Sequence, residues 1–142
     1  MLSFGYTVLT NEAVTACEIA CLDPQVGFLH GLHRGRPSLA LDLIEEFRPL
    51  VVDSTVIRLL ATDQLSAADF TYDEAENGRG CRMTDAARRT FLTAYERRML
   101  TLAHHPWAGR KASYRSALTV QARLVAAVLD GREDTYTPLA WR

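Results

Sequence analysis

The residues able to do chemistry together are concentrated in 27–53, GFLHGLHRGRPSLALDLIEEFRPLVVD. His30 stands just before a basic loop containing Arg34 and Arg36, and the loop leads into a stretch carrying Asp42, Glu45 and Glu46. In a helix, residues three and four apart share a face. Asp42 then faces the same way as Glu45, or as Glu46, while Leu43, Ile44 and Phe47 turn to the core. Carboxylates held that close repel unless something positive sits between them, and a divalent cation or an arginine would supply it. A mixed imidazole and carboxylate set suits Mn²⁺ or Mg²⁺, and no thiol lies nearby. The plainer alternative is a solvated helix face, with Arg48 neutralising Glu45 as an i,i+3 pair and His30 an ordinary loop histidine.

The elements that must position these groups can be read from patterning. Leu2, Tyr6, Leu9, Val14 and Ile19 recur at helical spacing, which predicts a first helix over about 2–21, ended by Asp23-Pro24 and slightly weakened by Gly5. Residues 24–37 are broken repeatedly by Pro and Gly and read as a loop. Ser38 is a good N-cap for a second helix with Leu39, Leu43, Ile44, Phe47, Leu50 and Val51 as its apolar stripe. Pro49 should kink or split it, and Leu50–Leu60 continues helical before a turn or short 3₁₀ segment over 61–69. Asn77-Gly78, between 70–73 and 80–83, signals a small β-hairpin.

Thr84 caps a long helix with Phe91, Leu92, Tyr95, Met99 and Leu102 on its inner face, ended by His104-His105-Pro106, where the imidazoles would meet the helix dipole. A basic loop over 106–112 comes next. Ser113 opens a last helix carrying Leu118, Ala122, Val125, Val128 and Leu129, closed by Gly131. The tail 132–142, with Tyr136 and Trp141, should pack back as an extended strap, and Trp107 reads as a packing residue. The predicted class is mainly α, about four to six helices with one small β-hairpin near 70–83.

Net charge is −1, so the chain as a whole has no basic signature for nucleic acid. Of its 16 basic residues only Lys111 is a lysine; arginine grips phosphate bidentately, although genome composition gives the same bias. Arg97-Arg98 would pair with neighbours such as Glu96. Cys17, Cys21 and Cys81 lack zinc-type spacing and are expected to be buried, reduced thiols of a cytoplasmic protein, the first two sharing a helix face. No apolar run approaches a membrane span, and the N-terminus has no signal-peptide pattern.

LSFGYTVL, GFLH, GRPSLALDLIEEFRPLVVD, CRMTDAARRTFLTAYERRM and the closing QARLVAAVLDG and YTPLAWR run in the same order as in the CRISPR-associated integrase, which this chain resembles over nearly its whole length. The resemblance implies the family's C-terminal helical catalytic domain, a single domain over 1–142 truncated at its N-terminus. It implies a divalent-metal-dependent DNA endonuclease and integrase that inserts foreign DNA into CRISPR arrays by phosphodiester transesterification. His30 and Glu45 then match two metal ligands, Asp42 a further acidic residue of the same active site, and the ion is Mg²⁺ or Mn²⁺. Arg34 and Arg36 would hold DNA phosphates. The implied partners are foreign DNA fragments and the CRISPR repeat, a second copy of the chain, and the small ferredoxin-like second subunit of the adaptation complex. The family's first ligand is a glutamate upstream of LSFGY, so the isolated chain is expected to be incomplete as a catalyst and prone to self-association. The alternative is a non-catalytic DNA-binding or assembly module, or a decayed gene product, derived from this family.

Overall fold

The computed structural model describes residues 1–31, 33–75 and 78–139. Helix α1 (Leu2–Ile19) crosses the molecule and packs on α2 (Ser38–Ile44), on the segment after it, and on the last helix. Leu9, Ala13, Ala16 and Cys17 form its buried stripe, while Leu2 and Ile19 stay exposed. The helix stops before Asp23-Pro24: Cys21 takes a left-handed backbone (φ 59), Leu22 N–H donates to Cys17 O (2.9 Å) and Cys21 N–H to Glu18 O (3.0 Å). That is a Schellman cap with cysteine where glycine is usual. Cys21 is consequently exposed, as is Cys81; of the three thiols only Cys17 is buried, and burial pushes it up to about 11.

Gly5 serves α1 by its size: a Cβ there would lie 2.6 Å from Val52 and 2.8 Å from Phe91. The helix is seated that closely on the segment between α2 and the next helix.

Pro49 splits the second helical run as its geometry requires, since proline has no N–H to donate and its ring clashes with the carbonyl four residues back. α2 ends at Ile44, and Arg48–Asp53 winds as a wider π-helical segment before α3 (Ser54–Ala61) resumes normal pitch. Wide turns free carbonyls, and side chains take them: Ser54 Oγ and Arg98 Nε donate to Leu50 O (2.7 and 2.6 Å), and Thr55 Oγ1 donates to Val51 O (2.6 Å). Ser38 is not the N-cap of α2. It lies inside the helix, fully buried, and its Oγ donates to Gly31 O (3.1 Å), while Pro24 O accepts from Leu39 N (2.9 Å).

A 3₁₀ turn (Ala67–Asp69) leads into the antiparallel pair β1 (Phe70–Ala75) and β2 (Gly78–Met83), in register from Phe70↔Met83 to Ala75↔Gly78. Asn77 of the expected turn lies outside the described residues.

Helix α4 (Asp85–Met99) is capped by Thr84, whose Oγ1 accepts from Ala87 N (3.2 Å), and buries Phe91, Tyr95 and Met99. Leu92 and Leu102 are exposed instead. His104-His105 does not end this helix. A second antiparallel pair, β3 (Leu102–His105) with β4 (Arg110–Ser113), occupies much of the expected basic loop, and Gly109 (φ 63) lies in its turn. His105 is fully buried; burial holds it below the ordinary histidine range, and its Nδ1 accepts from Ala108 N (3.2 Å), so it is a neutral core residue.

Helix α5 (Tyr114–Leu129) starts with Ser113 Oγ accepting from Ser116 N (3.2 Å) and ends at Gly131 (φ 69). Its Leu118, Ala122 and Val125 are core; Leu129 is exposed. Trp107 lies at the surface with Nε1 donating to Glu133 Oε1 (3.1 Å). The tail returns as a strap through Leu139; Trp141 lies outside the described residues.

Candidate functional site

The GFLH loop is built on Asp42. One carboxylate oxygen of Asp42 accepts from Phe28 N (2.6 Å) and Leu29 N (2.9 Å); the other accepts from His30 N (3.1 Å) and meets His30 Nδ1 at 2.5 Å. Gly27 makes the approach possible, because a Cβ there would stand 2.7 Å from Ser38 Cβ and 2.8 Å from Asp42 Oδ2. Burial would raise the Asp42 carboxyl, but the His30 contact and the three amide donors outweigh it and hold it below the ordinary carboxylate range.

This geometry divides the chemical roles. The oxygens of Asp42 are occupied by four donors, so Asp42 positions rather than ligates. The imidazole has its Nδ1 committed to a carboxylate, which fixes the ring and leaves Nε2 as the ring nitrogen available to a ligand. A carboxylate behind a histidine is the usual second partner of a metal-binding imidazole.

Glu45 comes directly after the end of α2, and its side chain is 41% exposed. Arg48 Nη1 lies 3.0 Å from its carboxylate, the i,i+3 pair expected from spacing. Arg48 in turn stacks over the Tyr6 ring, 4.9 Å from its centroid, and the Tyr6 hydroxyl donates to Asp53 (2.6 Å). Helix α1 therefore fixes Arg48, and Arg48 fixes Glu45. Glu46 turns into the protein: it accepts from Gln121 Nε2 (2.9 Å), the Tyr136 hydroxyl and Leu139 N (2.5 Å). Asp42, Glu45 and Glu46 all line an open apolar groove of about 400 Å³ beside Phe28, Leu29, Leu43 and Val128, with the Glu46 carboxylate taken up by Gln121, Tyr136 and Leu139 and that of Glu45 by Arg48.

Arg34 and Arg36 are exposed on the turn around Gly35 (φ 75), with no ion pair among the described residues. Arg97-Arg98 does not pair with Glu96. Glu96 shares Arg115 with Glu12 (2.6 and 2.9 Å), which joins α4, α5 and α1. Arg98 lies 4.8 Å over the Tyr114 ring. Among the described residues no three His, Cys, Asp or Glu side chains gather as a metal cluster. The donor set of His30 Nε2 and Glu45 suits a divalent ion but supplies only part of its shell. Sequence reasoning missed Gln121 and Tyr136 as partners of Glu46. The available signal was Gln121 itself, a polar residue set between Leu118 and Ala122 on an otherwise apolar face.

Comparison with known proteins places this arrangement in a family. Residues 1–97 match the family model described as CRISPR associated protein Cas1. A CRISPR-associated endonuclease Cas1 of Chlorobaculum tepidum is 42% identical over 142 residues, 100% of this chain and 40% of the relative. Among solved structures, a casposase bound to integration product matches with a TM-score of 0.86 at 26% identity, over 100% of this chain and 40% of that one. A Cas1 protein from Thermotoga maritima gives 0.81 at 28%, over 94% and 40%. This chain belongs to the Cas1 family and corresponds to its C-terminal helical domain. It spans 40% of the length of the Chlorobaculum relative.

Proposed function

We propose that this chain carries the His30 and Glu45 portion of a Mg²⁺- or Mn²⁺-dependent DNA strand-joining centre that inserts foreign DNA into CRISPR arrays. The observation that carries the reading is the Asp42 carboxylate at 2.5 Å from His30 Nδ1, which leaves Nε2 for an ion; Glu45 stands three residues after Asp42. Kinship with proteins named CRISPR-associated endonuclease Cas1 supports it. In the reaction a DNA 3′-oxygen forms a bond to phosphorus at the edge of a repeat, and the bond from that phosphorus to the repeat's own 3′-oxygen breaks. The number of phosphodiesters is unchanged. A bound ion supplies charge neutralisation at the phosphate and acidifies the attacking hydroxyl. His30 and Glu45 would hold it together with the upstream glutamate that the family resemblance implies, and Asp42 would keep the imidazole in its coordinating tautomer. Arg34 and Arg36 take backbone phosphates on the adjacent turn. A second copy of the chain and the small ferredoxin-like subunit complete the assembly.

Mn²⁺ titration monitored by electron paramagnetic resonance tests the centre. The chain is expected to bind Mn²⁺, and His30→Ala to weaken it by more than about tenfold. Equal affinity in the two proteins overturns the assignment.

One observation favours a second reading. Arg48, at 3.0 Å from Glu45, already supplies a positive charge there. A non-catalytic DNA-binding module would accordingly ignore Mn²⁺ and still bind DNA with steep salt dependence.

A further inference from the structure

A second feature, on residues the centre above does not use, lies between α3 and α4. Three arginines line one small cleft of about 160 Å³: Arg58 from α3, and Arg97 and Arg98 from α4. Ser54, Thr55, Gln64 and Thr101 complete its polar wall, and none of its lining residues is acidic. The hydroxyls are committed to the backbone, Ser54 to Leu50 O (2.7 Å) and Thr101 to Arg97 O (3.2 Å). Arg98 forms the fixed floor, its Nε bound to Leu50 O and its guanidinium over Tyr114.

Arg58 and Arg97 differ from the floor. Both are exposed, and among the described residues neither side chain has a hydrogen bond, an ion pair or a ring contact. Each retains a full fork of donors.

Cations in the last turn of a helix offset its dipole, and Arg58, Arg97 and Arg98 occupy such positions. Magnitude decides whether that accounts for them. Each helix end carries about −0.5 charge, so two ends neutralise about one of three guanidiniums. About two positive charges remain in a cleft without a carboxylate, and an oxyanion is the ligand that answers both the charge and the planar forks.

We infer that the cleft between Arg58 and Arg97 seats a phosphate of the DNA backbone. The inference rests on the DNA reading proposed above and extends it to a separate contact. The π-helical segment runs from Arg48, the partner of Glu45, directly into α3, which carries Arg58. The contact is sequence-independent and contributes to affinity and salt dependence without reading bases.

The test compares the intact chain with Arg58→Gln/Arg97→Gln and with a control of equal charge change at residues that do not line the cleft, Arg123→Gln/Arg132→Gln. All four arginines are exposed, so the folds should survive. Binding of a DNA duplex is measured across a salt series. The slope of log affinity against log salt should fall by about 0.9 in the cleft variant, for the one phosphate lost. The control should change it by less than half as much. Equal slopes in the two variants overturn the inference, because the effect is then only net charge. Thermal stabilisation by inorganic phosphate supplies the second arm. Protection of the wild type that the cleft variant loses supports an anion seat, and protection that persists in the variant overturns it. Phosphate protection without any duplex binding overturns the DNA source and, with it, the DNA reading. Equal Mn²⁺ affinity in the intact chain and His30→Ala would sink only the metal centre, since no cleft residue belongs to it.

Discussion

Asp42 holds a loop together before it does anything for a metal. Three successive amides and an imidazole converge on one carboxylate, and each such bond to a charged acceptor is worth about 1.5–3 kcal/mol. Asp42→Asn keeps the shape but turns an NH₂ toward amides that need an acceptor. It should cost about 2 kcal/mol and lower Mn²⁺ affinity roughly 10–100-fold, because the imidazole loses its orienting partner. The pH dependence has a definite sign. The folded state holds Asp42 below its unfolded value of about 3.9, so its contribution is complete above that pH and disappears as pH falls through the folded value. Below about pH 4 the wild type should therefore lose stability faster than Asp42→Asn in urea titrations, and parallel profiles would refute the role. Helix spacing grouped Asp42 with Glu45 or with Glu46, and only the family resemblance singled out His30 with Glu45. The work of Asp42 was not legible, because a partner 12 residues away across a loop leaves no periodic trace.

At the scale of elements, close seating decides more than propensity. Gly5 looks like a weak point in α1, and alanine normally improves a helix by about 0.5–1 kcal/mol. Here the added methyl would meet Val52 at 2.6 Å and Phe91 at 2.8 Å. Val52 is β-branched and stiff, Phe91 is fully buried, and overpacking costs about 1–3 kcal/mol. Gly5→Ala should thus lower the urea midpoint; a raised midpoint would show that the π-helical segment can yield. The break at Pro49 was readable because proline forbids one hydrogen bond locally. The form of the break was not, since Arg98, 48 residues on, takes the carbonyl that the wide turn frees. The second hairpin escaped for a related reason. Its strands are four residues each, too short to show alternation, and His105 is buried by neighbours rather than by pattern.

Across the whole molecule the chain's end is tied to its candidate centre. Glu46 adjoins Glu45 in the chain, yet it faces inward and takes the Tyr136 hydroxyl, Gln121 Nε2 and Leu139 N. Burial and Glu46 together push the Tyr136 phenol above its ordinary range, so the hydroxyl remains a donor across physiological pH. The strap consequently closes one wall of the groove that Asp42 and Glu45 line, and Tyr136 is part of that wall. Tyr136→Phe removes one donor to a carboxylate and leaves two. The loss of about 1.5–3 kcal/mol corresponds to a fall of roughly 5–10 °C in Tm for a chain of this size. If the strap is only a surface attachment, amide exchange should quicken in residues 133–139 and nowhere else. If it braces the centre, exchange should also quicken at Phe28, Leu29 and His30, because Glu46 and Asp42 are only four residues apart in the chain and line the same groove. The second pattern is the expected one. Unchanged protection of the GFLH amides would separate the strap from the site.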